Sequence, residues 1–330
     1  MKTKCIIIPV RNRKKLTQHI LDQIDNQLNQ IGEKKCSIVV VDDGSTDGTP
    51  EMIHSRFPSV HLLQGDGSLW WTGAICLGME YAFEKLLADY LVWLNDDISL
   101  SDDFLSQLSQ VCDSPLSENA VIGGIVQDIN YPDWVVYSGM VKKQFIRSMK
   151  FFQDEDIVEA DTLNGNITVI PRTVVEQVGF PNPEIFRHYG GDFEYINRVN
   201  KAGFKVVLSS KLKAKINYTT QEFIRYMPPW MQWHVFPRFA KRKEILQGFT
   251  NLKNHHNIWH TVNINNCDKN NKIFFWDYAS FYVRQIIKIL ISEFSNKQEI
   301  KQKIHDFLKE ENVPDAIKRE IMTQMIASRF

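Results

Sequence analysis

The chain has 330 residues, 43% of them hydrophobic and 24% charged, with 39 Lys and Arg set against 39 Asp and Glu. That is the composition of a folded, enzyme-sized body of one large domain or two, and its zero net charge excludes a global pull toward nucleic acid, so partners must be argued from sites. Five scattered cysteines, Cys5, Cys36, Cys76, Cys112 and Cys267, lack the paired spacing of zinc sites or a disulfide framework and point to a reducing compartment.

The apolar run in MKTKCIIIPV is too short for a signal sequence, and no window reaches the length of a membrane span, so a cytoplasmic protein is expected. Residues 4–10 read as a first buried strand. RNRKKLTQHILDQIDNQL then reads as a helix whose inner face carries Leu16, Ile20, Ile24 and Leu28. The next strand, CSIVVV, ends in DDGSTDGTP, which holds turn glycines, capping hydroxyls and carboxylates ahead of a helix around EMIHSRF. This loop is either an ordinary turn and cap or a strand end built for polar contact.

A third short strand, VHLLQ, leads into GDGSLWWTGAICLGMEYAFEKLL. Its Gly65, Gly67, Ser68, Gly73, Ala74 and Gly78 allow close backbone approach at a helix start, which suits a diphosphate. Trp70 and Trp71 are expected in the loop before this helix, as core anchors or as a stacking wall for a base or sugar. The segment lacks the GxxxxGK[ST] order of a P-loop.

The helix containing Met79, Tyr81, Phe83 and Leu86 delivers the chain to LVWL, which completes a βαβαβ pattern with a parallel sheet. This apolar run stops abruptly at Asn95, Asp96 and Asp97, and the edge beyond the carboxyl ends of parallel strands is where open α/β proteins bind ligands. Adjacent carboxylates repel, so keeping both ionised favours a cation such as Mg2+ or Mn2+ alongside substrate phosphates. The alternative is a solvated strand end followed by a helix cap. A second acidic cluster, Asp192 and Glu194, follows a Gly pair in IFRHYGGDFEYINRVNKAGF at the start of a helix, where acids favoured by the macrodipole or catalytic groups would both fit.

These motifs, in this order, resemble the family 2 glycosyltransferases, inverting enzymes with the GT-A fold. IIIPVRNR is similar to that family's opening strand, and IVVVDDGSTDGT to its nucleotide-contacting loop. Asn95-Asp96-Asp97 is similar to its metal-binding DxD motif with Asn in the first place, which leaves Asp97 as the metal ligand. GGDFEYINRVNKAGF matches the family's acidic pair and following helix except that Gly191 replaces the first acid, so Asp192 takes the place of the catalytic base and Glu194 that of a supporting acid.

The resemblance implies a Rossmann-like, mainly parallel mixed sheet flanked by helices over residues 1–220, with 221–330 as an acceptor-side loop and C-terminal helical extension. It further implies a nucleoside-diphosphate sugar donor contacted by Pro9, Arg11, Asn12, Asp42, Asp43, Gly67, Trp71, Gly73, Asn95 and Asp96. Mg2+ or Mn2+ is the implied cofactor, and a glycan or lipid-linked glycan of a bacterial surface polysaccharide or lipooligosaccharide the implied acceptor. The stretch WWTGA is similar to that of some bacterial rhamnosyltransferases, which adds dTDP-rhamnose to UDP-hexoses as donors. The substitutions at Asn95 and Gly191 keep open a non-catalytic sugar-nucleotide sensor. A sugar nucleotidyltransferase is a third reading, although IIIPVRNR lacks its glycine-rich basic signature.

Beyond residue 210 the resemblance fades. YMPPWMQWHVFPRFAKRKEILQGF reads as a loop, bearing Trp230, Trp233 and His234, that leads onto a cationic helix with Arg238, Lys241 and Arg242. His234 is either a metal or diphosphate contact or a structural histidine. KIFFWDYASFYVRQIIKILISEF is apolar around most of its circumference and must be covered by the transferase domain, by a second subunit or by the inner surface of the cytoplasmic membrane. Charged amphipathic helices divided near Pro314 close the chain.

Overall fold

The computed structural model describes residues 2–236, 239–267 and 273–327, and the chain divides into two compact units, Met1–Ile216 and Asn217–Phe330. In the first, β1 (Lys4–Val10), β2 (Cys36–Asp42) and β4 (Tyr90–Leu94) form on apolar runs buried along most of their length, and a short, partly exposed β3 (His61–Gln64) joins them. They are parallel in the order β4-β1-β2-β3, and the crossovers between them carry α1 (Lys14–Ile31), α2 (Thr49–Arg56) and α3 (Trp70–Glu84). All four strands therefore present their carboxyl ends at one edge.

After β4 the sheet becomes mixed. A short β5 (Ser99–Leu100) and α4 (Phe104–Asp113) precede β6 (Ala120–Asp128), β7 (Val135–Tyr137), β8 (Gly139–Val141) and β9 (Gln144–Phe145). There follow β10 (Ile157–Glu159), β11 (Thr162–Leu163), β12 (Ile167–Pro171), α5 (Arg172–Val178), α6 (Gly191–Lys201) and β13 (Lys205–Ile216). The full order is β10-β13-β6-β12-β4-β1-β2-β3, with β12 antiparallel to both β4 and β6 and β13 parallel to β6. Strands β8, β9 and β11 form a small separate sheet. The antiparallel entry of β12 places the loop before it, residues 164–166, beside the carboxyl end of β4.

Because side chains alternate along a strand, β1 feeds two cores. Ile6, Ile8 and Val10 pack with Ile20, Leu21 and Ile24 of α1 and with Leu105 and Leu108 of α4. Cys5 and Ile7 pack with Ala74, Ile75 and Met79 of α3 and with Tyr195, Ile196 and Val199 of α6. Burying each of the larger side chains contributes about 1.5–3 kcal/mol. Gly78 serves this packing: a Cβ there would lie 2.4 Å from Ile7 Cγ2. Of the inner-face residues expected for α1, Ile20 and Ile24 are buried and Leu28 packs against the same core, but Leu16 does not. Thr17, Ile20, Leu21, Ile24 and Gln27 are buried while Leu16 is 42% exposed, because the polar Thr17 points inward to a carboxylate at the end of β4.

The second unit is helical: α7 (Thr220–Tyr226), α8 (Pro229–Val235), α9 (Phe239–Gly248), α10 (Ile258–Cys267), α11 (Phe275–Phe294), α12 (Lys297–Glu310) and α13 (Asp315–Ala327). The expected loop around Trp230 and Trp233 is instead α8, for which Pro229 is well suited as a first-turn residue that needs no N–H partner. Phe249, Ile258, Val262 and Ile289 form its local core, with Trp230 and Trp233 packed against them. Among the described residues, no helix is long and apolar enough to cross a membrane.

Candidate active site

The loops at the carboxyl edge are stitched to one another by their own polar groups. Asp42, at the end of β2, accepts from the Ser45 amide (3.2 Å) and the Ser45 hydroxyl. The Ser45 hydroxyl oxygen in turn receives the Asn12 amide (2.7 Å), and Asn12 Oδ1 receives the Thr46 amide (2.8 Å). Arg11 donates to the carbonyl of Gly67 and lies 3.6 Å from Asp43 Oδ2. Arg11, Asn12, Asp42, Asp43 and Gly67 thus share one cluster, with Pro9 inside β1 in register with Val41.

The start of α3 does not carry the open anion site expected of it. The buried Asp43 carboxylate accepts from the amides of Gly67 (2.8 Å), Leu69 (3.1 Å) and Trp70 (2.9 Å), so the chain's own acid satisfies the donors that a diphosphate would use. That remote cap also brings Trp70 and Trp71 into the first turn of the helix rather than the loop before it. Gly73, one turn on, admits Leu69, whose Cβ would sit 3.3 Å from an added Cβ.

At the end of β4 the three polar residues behave differently. Asn95 is held in a network: its Oδ1 accepts from Trp71 Nε1 (2.9 Å), its Nδ2 donates to Asn166 Oδ1 (2.7 Å), and its amide donates to the Asn166 carbonyl. Asp96 is buried, with Arg13 Nη1 at 2.9 Å from one oxygen and Thr17 Oγ1 at 3.2 Å from the other. Burial pushes its carboxyl up to about 6, opposed by the Arg13 charge and reinforced by Asp97. Asp97 Oδ2 takes the same Arg13 nitrogen at 3.1 Å, and its Oδ1 is buried without a hydrogen-bond partner.

That orphaned oxygen is the test of whether a divalent cation suits the site. A buried carboxylate oxygen without a donor is costly to leave so. Among the described residues, no group of three or more His, Cys, Asp or Glu is gathered for a metal, so the protein offers little more than this oxygen. Mg2+ and Mn2+ fit such a sparse set, since they are held by one or two carboxylates together with substrate phosphates and water. His234 lies in the second unit, where its Nε2 is 2.9 Å from Ser292 Oγ.

The acids of α6 join the same edge through the loop before β12. Asp192 Oδ2 accepts from the Gly165 amide (2.9 Å) and Oδ1 from the Phe193 amide (2.9 Å). A Cβ on Gly165 would lie 2.4 Å from the Trp71 ring and 3.4 Å from Asp192 Cβ, so Asp192, Gly165, Trp71 and Asn95 form one contiguous chain of contacts. Burial pushes the Asp192 carboxyl above the ordinary range, the two amides opposing it. Among the described residues no cationic side chain pairs with Asp192. Glu194, by contrast, is engaged by Arg198, whose Nε and Nη2 reach its two oxygens at 2.6 and 3.1 Å while the same guanidinium donates to the carbonyls of Val178 and Phe180.

Gly191 has a packing reason. A Cβ there would stand 2.4 Å from Thr72 Oγ1, so an acid at this position would collide with the first turn of α3. The sequence reading missed Arg13, Thr17, Thr72, Gly165 and Asn166. Only NGN, residues 164–166, carried a visible signal, a polar turn ahead of an apolar strand; Arg13 is hidden in a run of cations.

A family model described as Glycosyl transferase family 2 matches residues 5–173. Glycosyltransferase AglE of Haloferax volcanii is 25% identical over 209 residues, which cover 62% of this chain and 63% of that protein, so the match spans less than two thirds of the relative's length. Among solved structures, a mannosyltransferase, PcManGT, from Pyrobaculum calidifontis in complex with GDP-Man and Mn2+ is similar with a TM-score of 0.53 at 13% identity, over 99% of this chain and 86% of that one. GalNAc-T7 with UDP, GalNAc and Mn2+ is similar with a TM-score of 0.52 at 14% identity, over 67% of this chain and 44% of that one. The shared architecture is the GT-A fold, here followed by C-terminal helices.

Proposed function

Because the chain belongs to glycosyl transferase family 2, we propose that it moves a glycosyl group, with inversion, from a nucleoside-diphosphate sugar to a glycan or lipid-linked glycan acceptor. The observation that carries the inverting reading is the separation of labour between two carboxylates on one edge. Asp192 is held only by backbone amides and is free to take a proton. Asp97 keeps a buried oxygen without a hydrogen-bond partner, which a cation would satisfy.

In this reading the acceptor hydroxyl oxygen attacks the anomeric carbon, the anomeric bond to the diphosphate oxygen breaks, and the hydroxyl proton passes to Asp192. One displacement leaves no covalent sugar on the protein. The lifted affinity of Asp192 for protons makes it a better acceptor than an exposed aspartate. Bound Mg2+ or Mn2+, held by Asp97, would supply charge stabilisation for the departing diphosphate. Glu194 fixes Arg198 and through it the segment before α6. Asn95 and Trp71 hold Gly165 and hence Asp192 in place.

The donor is proposed to be UDP- or dTDP-linked, with dTDP-rhamnose among the candidates. A panel of nucleotide sugars scored by thermal shift with Mn2+, followed by donor hydrolysis with and without chelator, tests the reading, since a bound donor stabilises by mass action. A donor that both raises Tm and loses its sugar only with metal supports it; a donor that binds and is never turned over, with any acceptor, contradicts it.

A peripheral membrane contact belongs to the same proposal. Helix α11 exposes Trp276, Val283, Ile287, Leu290, Ile291 and Phe294 along one side, beside Arg284 and Lys288. The neighbouring basic run is less available than its sequence suggests: Lys241 pairs with Glu244 and Arg242 with Glu293, while Arg238 lies outside the described residues. Co-sedimentation with anionic vesicles, lost in Trp276→Ser with Phe294→Ser, is the expected result; no sedimentation of the parent chain contradicts it.

A further inference from the structure

One cation is built into the acidic strand end. Arg13 stands at the mouth of α1, one residue before its first turn, and its single Nη1 reaches Asp96 at 2.9 Å and Asp97 at 3.1 Å. Asp96 is fixed from the other side by Thr17, so the guanidinium is anchored at a buried carboxylate while its own side chain remains 46% exposed. Among the described residues, its Nε and Nη2 donate to nothing. A half-exposed planar fork, tethered through one nitrogen and with unused donors on the other two, has the form that binds two phosphate oxygens at once.

We propose that Arg13 is a resident counter-ion that holds Asp97 in the empty protein, yields that carboxylate to the divalent cation, and uses its free donors to bind the donor's diphosphate. The inference rests on the reading of Asp97 as the cation's contact. It explains how two adjacent carboxylates, one of them buried, are tolerated before any ligand arrives: one of their two negative charges is already balanced by Arg13. It also makes cation and diphosphate binding mutually dependent. In the empty chain, a positive group beside Asp97 opposes a second cation, and a diphosphate that draws Arg13 away from Asp97 removes that opposition.

The test uses the full chain with Mn2+ and inorganic pyrophosphate as probes, read by Mn2+ electron paramagnetic resonance and calorimetry rather than by turnover. Arg13→Gln is expected to bind Mn2+ alone about tenfold tighter than the parent and Mn2+ with pyrophosphate about tenfold weaker, while Arg13→Lys keeps the charge and stays near the parent in Mn2+ alone. Asp97→Asn in the same assay separates the two readings. Loss of Mn2+ binding in Asp97→Asn with no gain in Arg13→Gln overturns the role of Arg13 and leaves the cation site standing. Unchanged Mn2+ binding in Asp97→Asn overturns the site itself. A variant that merely lowers Tm, with both affinities unaltered, marks Arg13 as a structural ion pair and also overturns the proposal.

Discussion

The two acidic clusters at the sheet edge look alike in sequence and are built in opposite ways. At the end of β4, Asp96 and Asp97 share one guanidinium that comes from α1, far away in the chain. At the start of α6, Glu194 takes its cation from the next turn of its own helix, and Asp192 has backbone amides alone. In each pair one carboxylate builds the site and the other is left available. The first available oxygen sits beside positive charge, which suits a cation relay and a diphosphate; the second sits in a desolvated place without a counter-charge, which suits proton transfer. Proximity of acids in a sequence therefore says little about their roles until the donors facing each oxygen are known.

The largest effect that would break this contrast is expected at Asp97. Asp97→Asn replaces the charged oxygen by an amide that cannot serve a hard cation, and metal-dependent donor binding and turnover should both fall by about a thousandfold or more. Titrating Mn2+ against donor checks it; a variant with the parent's metal dependence would remove the first half of the contrast. A smaller loss is expected at Gly191. Gly191→Asp, which restores the family's acid, forces a side chain against Thr72 and should cost about 1–3 kcal/mol of stability, partly recovered by Thr72→Ala. Denaturant unfolding of the single and double variants decides whether the glycine reflects packing. Smaller again is Glu194→Gln, which keeps one hydrogen bond to Arg198 and loses the charge. A cost of about 1 kcal/mol and a modest change in transfer rate are expected. A rate loss comparable to that at the base, without unfolding, would instead make Glu194 a participant.

Much of the fold was legible because β1, β2 and β4 are unbroken apolar runs that end in polar turns, and such runs in a βαβ pattern have few topologies open to them. The acids themselves were legible for the same reason, since Asp96 and Asp97 follow the end of a strand and Asp192 and Glu194 open a helix. What periodicity could not show was anything that depends on a partner distant in the chain. Thr17 rather than Leu16 is buried on α1 because its hydroxyl meets Asp96; the start of α3 was filled because Asp43 reaches it from another loop; Gly191 is set by Thr72. In the second unit the expected apolar helix and the helices either side of Pro314 are present, but the expected loop around Trp230 is not. A Pro-Pro pair before two tryptophans signals a loop by composition, yet Pro229 opens α8 because the first turn of a helix tolerates it and Met231, Gln232, His234 and Val235 are buried.

The central claim, that Asp192 acts as a base and Asp97 serves the metal-bound diphosphate, is tested most directly by measuring donor affinity and single-turnover transfer on Asp192→Asn across pH. Burial raises the folded-state pKa of Asp192 above its ordinary 3.8, so the folded chain holds this proton more tightly than the unfolded one. Its favourable contribution to stability is present at low pH and is lost as pH rises through the raised value, and the ionised group at neutral pH costs stability, so removing the charge is not a reason for the variant to unfold there. The parent's transfer rate should fall on the acid side with a midpoint above that of an exposed aspartate, because a base must be ionised to accept a proton. The account predicts that Asp192→Asn binds donor as the parent does, transfers at least about a hundredfold more slowly, and loses that acid limb. Equal loss of donor affinity and rate, or an unchanged pH profile in the variant, would contradict it.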